Sequence, residues 1–282
     1  MAKKTDISKT ARQEWQERYD FLKKAGVNYR STELGQAIIE LAHWSLHFLN
    51  RNCSKILLTS KIGGKNYHSY AFTDDKSARP ANSAFFDNDE KRIVEQWKNV
   101  DQLTKLELQN LLYTVALAPC LARDLFDRND KKSSATYFEY FIGHLFAKKF
   151  GVNPAAQESF CIENKTVSLP TDFLFKTDSL KIHMPVKTST RERVVQAWTH
   201  QRILNEHIQG GFKGMLIIFA ETKLDAKTHE VVEICVPDQW LIYQKYLARI
   251  DHIYYFDLPE KYQQLRTNYP NLFCIGNIAD AF

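Results

Sequence analysis

The chain has 282 residues, 44% of them hydrophobic and 25% charged, with a formal net charge of +5 at pH 7. That is long enough to bury a sizeable core in one large domain or two modest ones, and the balance is ordinary for a soluble globular protein. No apolar run approaches the ~18 residues of a membrane span, and the charged N-terminus has no signal-like apolar core, so a soluble, cytoplasmic protein is expected.

Residues 1–130 read as mainly helical. Residues 13–24 are a charged amphipathic candidate, 32–48 (TELGQAIIELAHWSLHF) carry apolar residues at helical spacing, and 94–122 read as one or two further helices. Between them, 55–72 (KILLTSKIGGKNYHSYAF) has an apolar run, a Gly-Gly and alternating aromatics, the pattern of a hairpin. Its turn carries Lys61, Lys65, Tyr67 and His68, which could touch phosphate or form an ordinary solvated turn. Residues 74–87, rich in Asp, Asn, Ser and Pro, read as a surface loop, and polar 128–134 as a boundary between halves.

Beyond that boundary, 135–150 (ATYFEYFIGHLFAKKF) is a helix ending at Gly151. Its Tyr137, Phe138, Tyr140 and Phe141 read as core packing. Strands are predicted at 160–163, 168–175 and 181–187, then a long helix over 191–209 closed by Gly210 and Gly211. A buried strand (215–220, MLIIFA), a strand (231–236), a helix (238–248) and a short strand (252–256) follow. This order predicts an α/β fold: a mixed central sheet flanked by helices over 131–282, preceded by a mainly helical region over 1–130. Cys53, Cys120, Cys161, Cys235 and Cys274 show no zinc-like spacing and read as reduced core residues of an intracellular protein.

The densest chemistry lies in 169–193, LPTDFLFKTDSLKIHMPVKTSTRER. Asp172 and Lys187 sit on either side of an apolar-rich hairpin. A carboxylate and a lysine converging from adjacent strands can hold a divalent cation beside a phosphate and polarise water. Arg191, Glu192 and Arg193 follow at once. Arginine forks onto guanine O6 and N7 and glutamate accepts from cytosine N4, so the triplet can read two adjacent G·C pairs. Thr188, Ser189 and Thr190 add hydroxyl donors and a candidate N-cap for the helix.

At these residues the chain resembles the PD-(D/E)XK nuclease superfamily. Pro170-Thr171-Asp172 looks like its P-(x)-D element, Pro185-Val186-Lys187 like its (D/E)-X-K element, and Glu139 stands where the family often places a helical glutamate. The resemblance covers roughly 135–220 and departs at Pro185, where the family usually has an acid. A subgroup of restriction enzymes reading CC·GG-containing sites also lacks that acid. It takes a carboxylate from the following helix, thirteen or fourteen residues beyond the lysine, and carries an Arg-(Asp/Glu)-Arg reader. Here those helix positions are His200 and Gln201, and Glu206 lies farther along.

The resemblance implies a Mg²⁺-dependent type II restriction endonuclease that cuts both strands of double-stranded DNA as a homodimer. Asp172, Lys187 and Glu139 would be catalytic, and the cation would sit on Asp172 with Gln201 or Glu206. Arg191, Glu192, Arg193, Ser189 and Thr190 would contact DNA. Two other readings stay open: a DNA-binding protein whose metal site has decayed, and a repair nuclease without sequence preference. Read singly, Asp172 could end a strand, Lys187 could be an edge lysine, and Thr136 with Glu139 fits a capping box. His144, His183 and His200 read as structural or DNA-contacting residues before a general base.

Overall fold

Apolar residues at helical spacing in the first half of the chain become α1 (Ala2–Ala25), α2 (Thr32–Asn52), α3 (Glu90–Lys98) and α4 (Lys105–Phe126). The computed structural model describes residues 2–73, 76–127, 129–189 and 194–282, the side chains of 2–8, 73 and 76 excepted. Polar side chains set the helix starts. Ser31 caps α2, Asp89 caps α3, and Thr104 with Glu107 forms a capping box on α4, so the predicted 94–122 segment is two helices.

The 55–72 hairpin forms as predicted, with β1 (Ser54–Leu58) antiparallel to β2 (Tyr67–Thr73). The 74–87 stretch is not a free loop. It carries β3 (Lys76–Ser77) and β4 (Ala81–Asn82), both paired with β2. Arg79 forks onto Asp124 with two 2.7 Å bonds, and the Asn82 N–H donates to the Tyr113 hydroxyl. The polar composition that suggested a solvated loop serves these internal bonds instead.

α5 (Lys131–Phe150) starts four residues earlier than predicted, because Asp130 accepts from the Ser133 N–H and hydroxyl. Glu139 is therefore two turns inside the helix, and its capping-box reading falls. Tyr137, Phe138 and Phe141 are buried as expected, and His144 is a packing residue bonded to the Tyr29 carbonyl.

β5 (Ala155–Ile162) and β6 (Lys165–Lys176) form a long hairpin, and β7 (Lys181–Met184) pairs antiparallel with β6. The predicted 181–187 strand is interrupted at Pro185, which has no N–H to give a ladder, and resumes as β8 (Val186–Lys187). α6 (Val195–His207) follows, with Gly210 and Gly211 at φ 77° and 58° turning the chain into β9 (Lys213–Ala220). β10 (Thr222–Leu224) and β11 (Val231–Glu233) pair with each other, and Val231 also bridges to Ser60, so the strand predicted over 231–236 stands outside the central sheet. α7 (Pro237–Tyr246), β12 (His252–Asp257), α8 (Glu260–Asn268) and β13 (Ile275–Asn277) complete the chain, the last two unread in the sequence.

Two units result: residues 1–144 with 222–233, and residues 145–221 with 234–282. The seam falls inside α5 and not at the polar 128–134 stretch. In the first unit, Lys61 pairs with Glu230 at 2.8 Å and His68 is buried against Ser83. In the second unit the sheet order is β13-β12-β9-β7-β6-β5, with β8 also on β9. β5, β6 and β7 run antiparallel, whereas β7, β8, β12 and β13 join parallel, so the sheet is mixed as expected. The five cysteines are free, but only Cys120 is buried; Cys161 and Cys274 are exposed.

A core of Trp198, Leu216, Ile218, Trp240, Ile253 and Tyr255 joins α6 and α7 to β9 and β12. At its centre Gln244 is almost fully buried. Its Oε1 accepts from Trp198 Nε1 and the Ile250 N–H, and its Nε2 donates to the Ile250 and Leu272 carbonyls. Gln244→Ala should lower stability by about 2–4 kcal/mol in denaturant titration, since it leaves several buried polar groups unpaired. A loss under about 0.5 kcal/mol would show that the network is not holding this core.

Candidate active site

Side chains along a strand alternate between faces, and antiparallel partners share one. Phe173 pairs with Met184 and Leu174 with His183, so Asp172, Leu174, His183, Pro185 and Lys187 fall on one face of the sheet. Leu174 packs there on Leu204 and Phe212, while Phe175 on the other face meets Phe150. With Pro185 interrupting the ladder, the Val186 N–H turns to the Asp172 side chain and donates to Oδ2 at 2.8 Å. Lys187 Nζ donates to the same oxygen at 2.7 Å. Fifteen residues of separation thus close into one charge-assisted contact, with the Lys187 and Asp172 side chains 22% and 24% exposed.

The pair faces a cleft of about 180 Å³, whose walls include His183, Pro185, and from α6 Gln196 and His200. Gln196 and His200 lie one helical turn apart. That i,i+4 spacing was the signal in the sequence that both could share a wall. His183 is buried and meets Gln201 Oε1 at 2.9 Å through Nδ1. Gln201 Nε2 in turn donates to the Phe212 carbonyl at 2.5 Å and to Asn205 Oδ1 at 2.9 Å. Both Nε2 partners are oxygens, so the amide orientation is fixed and His183 must be the Nδ1–H donor.

Burial pushes His183 down to about 4, against its bond to the Gln201 oxygen, which favours the charged form. His200 is also lowered, first by burial and then by the Lys187 charge, with Asp172 opposing.

Asp172 and Lys187 are brought together as the sequence predicted. Gln201 is not among the residues lining the cleft: its carbonyl is taken by His183 and its amide by Phe212 and Asn205. Glu206 is exposed and paired with Arg202 at 2.5 Å, also outside the cleft lining. Glu139 is half-buried on the part of α5 that belongs to the first unit. Ser189 follows β8, half-buried; Thr190, Arg191, Glu192 and Arg193 lie outside the described residues. Among the described residues Val194 precedes α6 and makes no side-chain cap bond, and the expected cap at Thr190 lies outside the described residues. Among the described residues no three His, Cys, Asp or Glu side chains are grouped to hold a metal by themselves.

No protein-family model and no curated protein sequence matches this chain. Among solved structures, the type IIP restriction endonuclease Kpn2I aligns with a TM-score of 0.80 and 21% identity, over 95% of this chain and 94% of that one. The restriction endonuclease PspGI in its substrate-DNA complex aligns over 68% of this chain and 89% of its own, at 15% identity and a TM-score of 0.44, too loosely to guide interpretation. The likeness to Kpn2I is one of fold, and it covers nearly the whole length of both chains.

His183 should remain neutral in the folded chain at about pH 5.5, as the Nδ1–H tautomer, in ¹⁵N NMR of histidine-labelled protein. Its folded pKa is about 4, below the ordinary ~6.5, so the unfolded chain takes up the proton first as pH falls. Stability is therefore full above about pH 6.5 and is lost as the pH falls towards 4, with buried His68 acting in the same direction. A His183 ring protonated at about pH 5.5 would contradict this arrangement.

Proposed function

We propose that this chain is a divalent-cation-dependent endonuclease that cuts both strands of DNA at a specific site, as a type II restriction endonuclease does. The observation that carries the reading is the Asp172–Lys187 pair, drawn to 2.7 Å at a cleft in a fold shared with a type IIP restriction endonuclease.

The donor set fits a cation such as Mg²⁺. Asp172 Oδ2 is engaged by Val186 and Lys187, while Oδ1 bonds to no described residue. Mg²⁺ takes one or two carboxylates, keeps several waters and is completed by substrate phosphate. Asp172 would hold the ion, which when bound stabilises charge on the phosphoryl oxygens and acidifies water. Gln201 and Glu206, committed to other partners, are left out of this set.

Lys187 supplies a fixed positive charge beside the carboxylate. It can donate to the attacking water or to a phosphate oxygen as negative charge builds, and its tether to Asp172 removes the entropy of positioning a long side chain. Gln196 offers an amide donor from the α6 wall. Hydrolysis would leave 5′-phosphate and 3′-hydroxyl ends, as the family resemblance implies. Arg191, Glu192 and Arg193, with Ser189 and Thr190, supply the chemistry for reading a G·C-containing site and its phosphates. Cutting both strands of a palindrome calls for two active sites, hence a symmetric homodimer.

Pro185, in place of an acid, favours one second reading, a DNA-binding protein whose cation site has decayed. Digestion of long unmethylated phage DNA with Mg²⁺ separates the alternatives. Discrete fragments are expected, with sequenced ends sharing a G·C-containing palindrome. Lys187→Ala and Asp172→Asn should each slow cutting by about a hundredfold or more. A smear would point to a nuclease without sequence preference, and DNA binding without cutting to the decayed site.

A further inference from the structure

We propose that His183 is a nitrogen ligand for the cation of this cleft, standing in on the same sheet face for the carboxylate that Pro185 cannot provide. The inference rests on the nuclease reading and names a donor set for it.

The first ground is position. His183 pairs with Leu174, and Asp172 lies two residues before Leu174 on the same face. Asp172 and His183 are thus diagonal cross-strand neighbours, a relation that places backbones about 7–8 Å apart and Cβ atoms somewhat closer. An ion bonded to a carboxylate oxygen and an imidazole nitrogen at about 2.0–2.2 Å each bridges such a pair. Both residues line the one cleft.

The second ground is the fixed tautomer. Nδ1–H is spent on Gln201, and Nε2, which carries the ring's lone pair, makes no hydrogen bond to a described residue, while the ring lines the cleft. A device holds the ring this way: Gln201 is locked by Phe212 and Asn205, and a Cβ on Gly214 would stand 2.8 Å from its Oε1. An imidazole whose far N–H is anchored to an acceptor is the usual way a protein aims a ligating histidine.

The third ground is the donor set. With Nδ1–H bonded to the Gln201 oxygen, Nε2 holds the lone pair, which is the atom a metal takes. With Asp172 it gives two protein donors, one oxygen and one nitrogen, and water and DNA phosphate fill the rest. A mixed set of this kind suits borderline ions such as Mn²⁺ or Co²⁺ better than Ca²⁺, which takes oxygen ligands.

The test is pulsed EPR of Mn²⁺ bound to the full chain, with the protein unlabelled or carrying ¹⁵N-histidine. A nitrogen modulation that changes with the label is expected in the unmutated protein, so no folding defect can intervene. It should persist in His200→Ala and vanish in His183→Ala, with Mn²⁺ affinity reduced about tenfold or more. Mn²⁺ bound through Asp172 without nitrogen modulation, or with modulation lost in His200→Ala, overturns the assignment and leaves the nuclease reading standing. Cutting with Mn²⁺ but no nitrogen coupling does the same. No Mn²⁺ binding and no cutting removes both.

Discussion

One carboxylate oxygen organises the second unit's cleft. Asp172 Oδ2 accepts the Val186 N–H and the Lys187 ammonium together, tying β6 to β8 across the gap that Pro185 opens in the ladder. Hydrogen bonds to a charged group contribute about 1.5–3 kcal/mol when well shielded, and less at partial exposure. Their larger effect here is geometric. They hold a lysine beside a carboxylate whose other oxygen bonds to no described residue, an arrangement that can receive a cation and a phosphate.

That arrangement depends in turn on α6. Leu204 and Phe212 pack on Leu174, and Gln201 links α6 to β7 through His183. The helix is thereby seated over the face that carries Asp172 and Lys187, and its Gln196 and His200 become walls of the cleft. Gln201, fully buried, connects helix, sheet and the loop before β9, and Gly214 leaves it room. The residue that looked like a candidate ligand by its distance from Lys187 is instead the anchor of another candidate ligand.

How much of this was legible in the sequence follows the range of the signals. Local patterns were strong: the β1–β2 hairpin, the apolar run of β9, the Gly210–Gly211 stop and the alternation that sets Asp172 and Lys187 on one face were all readable. Boundaries governed by polar side chains were not. Asp130 set the start of α5, and the Asn- and Asp-rich 74–87 stretch was stitched inward by Arg79 and Asn82. β13 is three residues long, and its parallel pairing with β12 is non-local, so no periodic signal marked it. His183 was visible as a residue, but the direction of its ring depends on Gln201, eighteen positions away, and no spacing rule gives that.

The central claim is that Asp172 and Lys187 work as one unit. Single-turnover DNA cleavage by the unmutated chain, Asp172→Asn, Lys187→Ala and the double variant tests it most directly. Groups that act together lose their function together, so the double variant should cut no more slowly than the slower single one. Two losses that multiply, or cutting that survives both substitutions, would contradict the account.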